Sequence, residues 1–185
     1  MKKHTAAEAG ALLARAEQIL PPPAVAAAVR RVAAEISVAL REEYPLVLAV
    51  MRGGVVFAGQ LLPLLEFPLD VDYVDATRYG AATAGGELRW RVDIPEDVRG
   101  RVVLVLDDIL DEGHTLAAIR DRLLGAGASR VLLAVFAEKA TGRGKPAAAD
   151  FVGTVVPDRY VFGFGMDVKG MWRNLPAVYA LNPDD

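Results

Sequence analysis

Residues 103–116 read VLVLDDILDEGHTL: an apolar run, then Asp107, Asp108, Asp111 and Glu112, then Gly113, His114 and Thr115. Two kinds of chemistry stand side by side here. The Gly-His-Thr end suits an anion, because free N–H groups and the dipole at a helix N-terminus favour negative charge. Gly113 lets the backbone approach an oxyanion closely, and the Thr115 hydroxyl adds a donor. The acids instead suit hydroxyl groups, which they can accept directly or through a Mg²⁺ that prefers oxygen ligands. A sugar phosphate satisfies both ends, since its hydroxyls or a bound cation separate the acids from the phosphate. A single acid after a strand more often caps the next helix. Two adjacent acids, a third three positions on and a Gly-x-Thr go beyond capping.

Other residue types narrow the chemistry further. The chain has no Cys, two Ser (Ser37 and Ser129) and two His (His4 and His114). Thiolate chemistry, a G-x-S-x-G elbow and a His-based zinc site are therefore excluded. No G-x-x-x-x-G-K-[ST] and no G-x-G-x-x-G is present. Carboxylates, Lys, Arg, Tyr and backbone amides must carry the chemistry. A formal net charge of -3 gives no overall attraction to nucleic acid or an anionic membrane. Lys2 and Lys3 could open a secretory leader, but Glu8, Arg15 and Glu17 interrupt the apolar stretch. An amphipathic helix and a cytoplasmic location are expected instead.

The positioning elements follow from periodicity. Residues 5–20 and 24–43 read as helices broken by Pro21, Pro22 and Pro23, and Val25, Val29, Val32, Ile36 and Leu40 form a helical stripe. Continuous Val- and Leu-rich runs at 46–51, 71–76, 102–106, 131–136 and 151–155 suit strands covered on both faces. Helical stretches at 55–65 and 114–126 alternate with them, which predicts an α/β fold with a parallel twisted sheet flanked by helices. Ligands of such sheets collect at the carboxyl ends of the strands, where the acids stand. Residues 77–90 read as a Gly-rich flap, 140–150 as a surface loop, and the tail after Pro157 as a small cap. The length suits one domain: helices at 1–43, a core at 44–155 with the flap at about 77–92, and a hood at 156–185.

Residues 106–115 resemble the phosphoribosyl-diphosphate (PRPP) motif of the type I phosphoribosyltransferases. The one departure is Glu112, which stands where the family has Thr or Ser. The resemblance implies that Asp107, Asp108, Asp111, Glu112, Gly113, His114 and Thr115 bind PRPP, with Asp107 and Asp108 serving the ribose and Mg²⁺. Further segments are similar to the hypoxanthine-guanine branch. Met51-Arg52-Gly53 resembles the loop that holds pyrophosphate through its amides, around a strained peptide between its first two residues. Arg78-Tyr79 stands where the family flap has Ser-Tyr. Lys139 matches a Lys that donates to the 6-oxo group of the purine. VVPDRYVFGFGMD, residues 155–167, is the most specific match. In it Tyr160 would stack on the purine, the Val161 backbone would read the base edge, and Asp167 would hold a second Mg²⁺. Arg173 matches an Arg that contacts pyrophosphate.

What the resemblance implies is transfer of a 5-phosphoribosyl group from PRPP to N9 of hypoxanthine or guanine, with Mg²⁺ as cofactor and Asp111 as the base near N7. It also implies a homodimer or homotetramer, and no nucleic-acid or membrane partner. Three alternatives stay open: an enzyme for xanthine or another base, an RNA-binding regulator on the same fold, and a catalytically decayed relative.

Overall fold

The computed structural model describes residues 4–78 and 88–182. Six strands form the central sheet: β2 (Leu46–Met51), β3 (Asp70–Arg78), β4 (Leu88–Val92), β5 (Val102–Leu110), β6 (Arg130–Ala140) and β7 (Phe151–Pro157). Their order is β4-β3-β2-β5-β6-β7, parallel throughout except for the β3–β4 pair. On one face lie α2 (Pro22–Leu40) and α3 (Gly54–Leu61), and on the other α4 (His114–Gly125). Alternate residues of β5 feed the two cores, Leu104 and Leu106 toward α2 and α3, Val103 and Val105 toward α4. Both faces are covered, so the strand reads as an unbroken apolar run.

A second, three-stranded antiparallel sheet joins the two ends of the chain: β1 (Glu17–Leu20), β9 (Val178–Ala180) and β8 (Val161–Phe162), in that order. With α1 (Ala6–Arg15) it makes the hood. Thr5 caps α1 through a capping box with Glu8, and the Trp172 indole donates to the Ala9 carbonyl at 2.9 Å, tying α1 to the C-terminal turns. Arg159 adds a cross-link, bonding Glu17 at 2.6 Å and the Leu181 carbonyl.

Several boundaries differ from those read in the sequence. The first helix ends at Arg15, and residues 17–20 are strand, because they pair with β9 instead of continuing an isolated helix. The second starts two residues early, with Pro22 and Pro23 in its first turn, where a missing N–H costs nothing. Part of the expected flap is sheet: β4 pairs with β3, setting Trp90 opposite Ala76 against the α4-side core. The strand expected to end at Leu106 runs on to Leu110, because Asp107, Ile109 and Leu110 keep pairing with β6. Lys139, expected just beyond its strand, is the penultimate residue of β6 and pairs with Val156.

Candidate active site

The carboxyl ends of β2, β5 and β6, the start of α4 and the hood enclose a cleft of about 570 Å³. At its floor, Asp107 and Asp108 occupy the part of β5 that has outrun β2, whose pairing stops at Leu106. Each is only 8% exposed, and Asp107 Oδ1 accepts the Asp108 amide at 2.9 Å. Burial, then the adjacent Asp108 charge, pushes the Asp107 carboxyl well above the usual carboxylate range. Burial also raises Asp108, while its hydrogen bond with Asp107 and the Arg173 guanidinium pull it back. The floor is therefore an acid pair short of positive charge.

Glycines let three chain segments converge on that pair. A Cβ on Gly53 would lie 2.1 Å from Asp108 Oδ2, and one on Gly165 would lie 2.4 Å from the Gly53 carbonyl oxygen. The peptide between Met51 and Arg52 is cis. Arg173 donates to the Gly165 carbonyl at 2.6 Å, pairs with Asp167, and lies 3.6 Å from Asp108. The second Asp167 oxygen accepts the Gly170 amide at 2.6 Å.

Above the floor, Gly113 adopts a left-handed conformation at φ 82° and turns the chain into α4. The first turn of that helix has no acidic residue and no side-chain cap, so its opening amides lack partners within the helix, and residues 113–116 line the cleft. Glu112, by contrast, is exposed beside them and lines the same cleft. An ion pair also lines the cleft, from the end of β6 and the residue just after β5: Lys139 Nζ lies 2.6 Å from Asp111 Oδ2, with Lys139 13% and Asp111 46% exposed. Tyr160, 52% exposed, and Val161 line the cleft as well. The arrangement can hold an anion at one end, hydroxyls or a hard cation at the floor, and a flat polar ring beside an acid and an ammonium.

The sequence decides which family this is. A family model, the phosphoribosyl transferase domain, matches residues 15–169. The chain belongs to the phosphoribosyltransferase family. Its similarity to the hypoxanthine-guanine phosphoribosyltransferase of Bacillus subtilis is 32% identity over 156 residues, 84% of this chain and 87% of that protein. The bifunctional protein TilS/HprT of Listeria monocytogenes is 35% identical over 157 residues, and the match spans only 24% of its length. The fold matches that of a solved hypoxanthine phosphoribosyltransferase from Staphylococcus aureus, at a TM-score of 0.85 and 24% identity over 91% of this chain and 92% of that one.

Of the phosphoribosyltransferase residues expected from the sequence, Met51, Arg52, Gly53, Asp107, Asp108, Asp111, Glu112, Gly113, His114, Thr115, Lys139, Tyr160, Val161, Asp167 and Arg173 all line the one cleft. Arg78 ends β3, and Tyr79 lies outside the described residues. Asp75 and Ala76 of β3 also line it and went unread, having no motif of their own. Gly165 is one position within the 155–167 pattern, yet the hood's close approach to Gly53 depends on it. Among the described residues no three acids or histidines converge into a ready-made metal cage. The Asp107–Asp108 pair nonetheless offers hard oxygen donors whose charge burial leaves uncompensated, which fits a Mg²⁺ that takes its remaining ligands from substrate and water.

Proposed function

We propose that this protein is a purine-salvage hypoxanthine-guanine phosphoribosyltransferase, transferring the 5-phosphoribosyl group of PRPP to N9 of hypoxanthine or guanine and releasing pyrophosphate. The observation that carries this reading is the Asp111–Lys139 pair, which lines the same cleft as the start of α4 and the buried acids. An ammonium can donate to a 6-oxo group but cannot accept from an amino group, so Lys139 favours 6-oxopurines over adenine. Asp111 takes the proton displaced from the base. Tyr160 offers a stacking face, and the Val161 backbone reads the base edge.

On the other side, the amides of residues 113–115 and the Thr115 hydroxyl hold the 5-phosphate. The loop Met51-Arg52-Gly53 and Arg173 hold pyrophosphate. Asp107 and Asp108 hold the ribose hydroxyls and Mg²⁺, and Asp167 holds a second Mg²⁺. Bound there, Mg²⁺ neutralises charge building on the departing pyrophosphate. Arg78 and Tyr79 belong to a flap that excludes water from the reacting carbon.

The whole chain acts as one such domain in the cytoplasm, as a homodimer or homotetramer. Val71 and Tyr73 stand in register with Val47 and Ala49 on the α2–α3 side, yet are 55% and 44% exposed, which supports a second copy covering that face. The deciding experiment offers hypoxanthine, guanine, xanthine, adenine and uracil separately with PRPP and Mg²⁺. Turnover of hypoxanthine or guanine is expected. Turnover of xanthine alone, or of a non-oxopurine, would overturn the base assignment, and none at all would overturn the activity.

A further inference from the structure

Lys145 lies in the connection from β6 to β7 that reads in the sequence as a surface loop. Its side chain is only 11% exposed. The ammonium meets three acceptors: the Lys139 carbonyl at 2.7 Å, the Leu110 carbonyl at 3.1 Å and the Glu138 carboxylate at 3.1 Å. Three donors thus find three partners. The choice of carbonyls matters. One belongs to Lys139 itself and the other to the residue just before Asp111, and these are the two side chains that meet at 2.6 Å.

The strands need such a tie at this point. β5 loses β2 as a neighbour after Leu106, and its last pairing with β6 is Leu110 opposite Glu138. β6 is held on its far side by β7, through Lys139 opposite Val156. The end of β5 is therefore the freer of the two. The same segment also floors the phosphate loop: a Cβ on Gly113 would lie 3.3 Å from Lys145 Cβ and 3.4 Å from the Ala147 carbonyl oxygen.

We propose that Lys145 is a positioning residue for base recognition, tying the ends of β5 and β6 so that Asp111 and Lys139 meet the purine as one fixed pair. The kinetic consequence rests on the function proposed above. A displacement of about 1 Å at a reacting group can cost about 100-fold in rate. A merely structural Lys145 would instead lower stability and affect both substrates alike.

The test compares E138Q with E138Q/K145M, so that no carboxylate is stranded. Met keeps an aliphatic stem beneath Gly113 and removes the ammonium. The expected result is a loss of about 10- to 100-fold in kcat/KM for the 6-oxopurine, with KM for PRPP changed by no more than about twofold. Crystals of the double variant should show the Asp111–Lys139 pair opened. Unaltered base kinetics with the pair intact would overturn the proposal, as would equal losses for base and PRPP that track a lowered melting temperature. If the double variant does not fold, Lys145→Gln, which keeps part of the donor set, should show a smaller loss in the same direction. An unchanged KM for the base in that variant would overturn the tether. Should the wild-type protein transfer phosphoribose to no purine, the proposed function fails separately, and the crystallographic separation of Asp111 and Lys139 decides the role of Lys145.

Discussion

The two ends of the cleft are built by different means. At the end proposed to hold phosphate, residues 107, 108 and 112–115 belong to one stretch of chain, in which two buried acids precede the opening amides of α4. At the end proposed to hold the base, Asp111 comes from just after β5, Lys139 from β6, and Tyr160 from just before β8. In the proposed function side chains supply the chemistry there, and tertiary contacts hold them in place. An anion cradle made of amides tolerates many side chains, whereas a base reader made of a Lys and an Asp depends on each of them. Substitutions should thus be more damaging at the base end than at the side chains of the phosphate loop.

Asp111 offers the strongest test of that contrast. Asp111→Ala should lower turnover by about 10²- to 10⁴-fold while PRPP still binds, read by steady-state kinetics and by PRPP binding in parallel. Equal loss of PRPP binding would assign Asp111 to the phosphate end and erase the contrast. Lys139→Ala follows. Losing a charge-assisted hydrogen bond worth about 1.5–3 kcal/mol should reduce the preference for 6-oxopurines over adenine by about 10- to 100-fold. An unaltered preference, measured with both bases in competition, would remove Lys139 from base reading.

The same contrast explains what could be read from the sequence. That residues 107–115 line one cleft was legible because they are contiguous: an apolar strand, acids, a glycine and a Thr in one run. The strand–helix alternation was legible because β2, β5 and β6 are covered on both faces. Lys145 was not legible, since its value lies in two carbonyls contributed by β5 and β6, and no local pattern marks it. Residues 17–20 were misread for a similar reason. Their helical composition yields to pairing with residues 178–180, at the far end of the chain. Likewise the strands expected to end at Leu106 and Phe136 run on to Leu110 and Ala140, because polar residues stay in a sheet when the neighbouring strand continues beside them.

The floor between the two ends can be tested by stability. Asp107 has a folded pKa well above its ordinary value, chiefly through burial. A raised acid stabilises the fold fully below the unfolded pKa of about 3.9, and that contribution is lost as pH rises through the folded value. Without divalent cation, the wild-type melting temperature should therefore fall as pH rises from about 4 toward the raised folded value, and level off above it. Asp107→Asn should flatten this dependence. A gain on the order of 1 kcal/mol near neutral pH would raise the melting temperature by about 2–4 °C. A variant that melts lower at every pH would show that Asp107 supports the fold as a carboxylate, and that the floor is not short of positive charge.

The smallest expected effect is at Glu112, and it bears most directly on the backbone nature of the phosphate end. The residue is exposed at the mouth of the anion cradle, where the related motif has a hydroxyl. If the amides do the binding, a carboxylate there weakens the site without abolishing it. Two like unit charges about 4 Å apart cost about 1 kcal/mol in water, or roughly fivefold in affinity, and solvent beside an exposed side chain keeps the penalty near that level. Glu112→Thr should accordingly lower KM for PRPP about fivefold and leave kcat and base preference unchanged. Added salt should narrow the difference between the two proteins, because screening weakens repulsion between exposed charges. A higher KM in the variant would mean that Glu112 works for the ligand, through a cation or a ribose hydroxyl. The phosphate end would then depend on its side chains as the base end does.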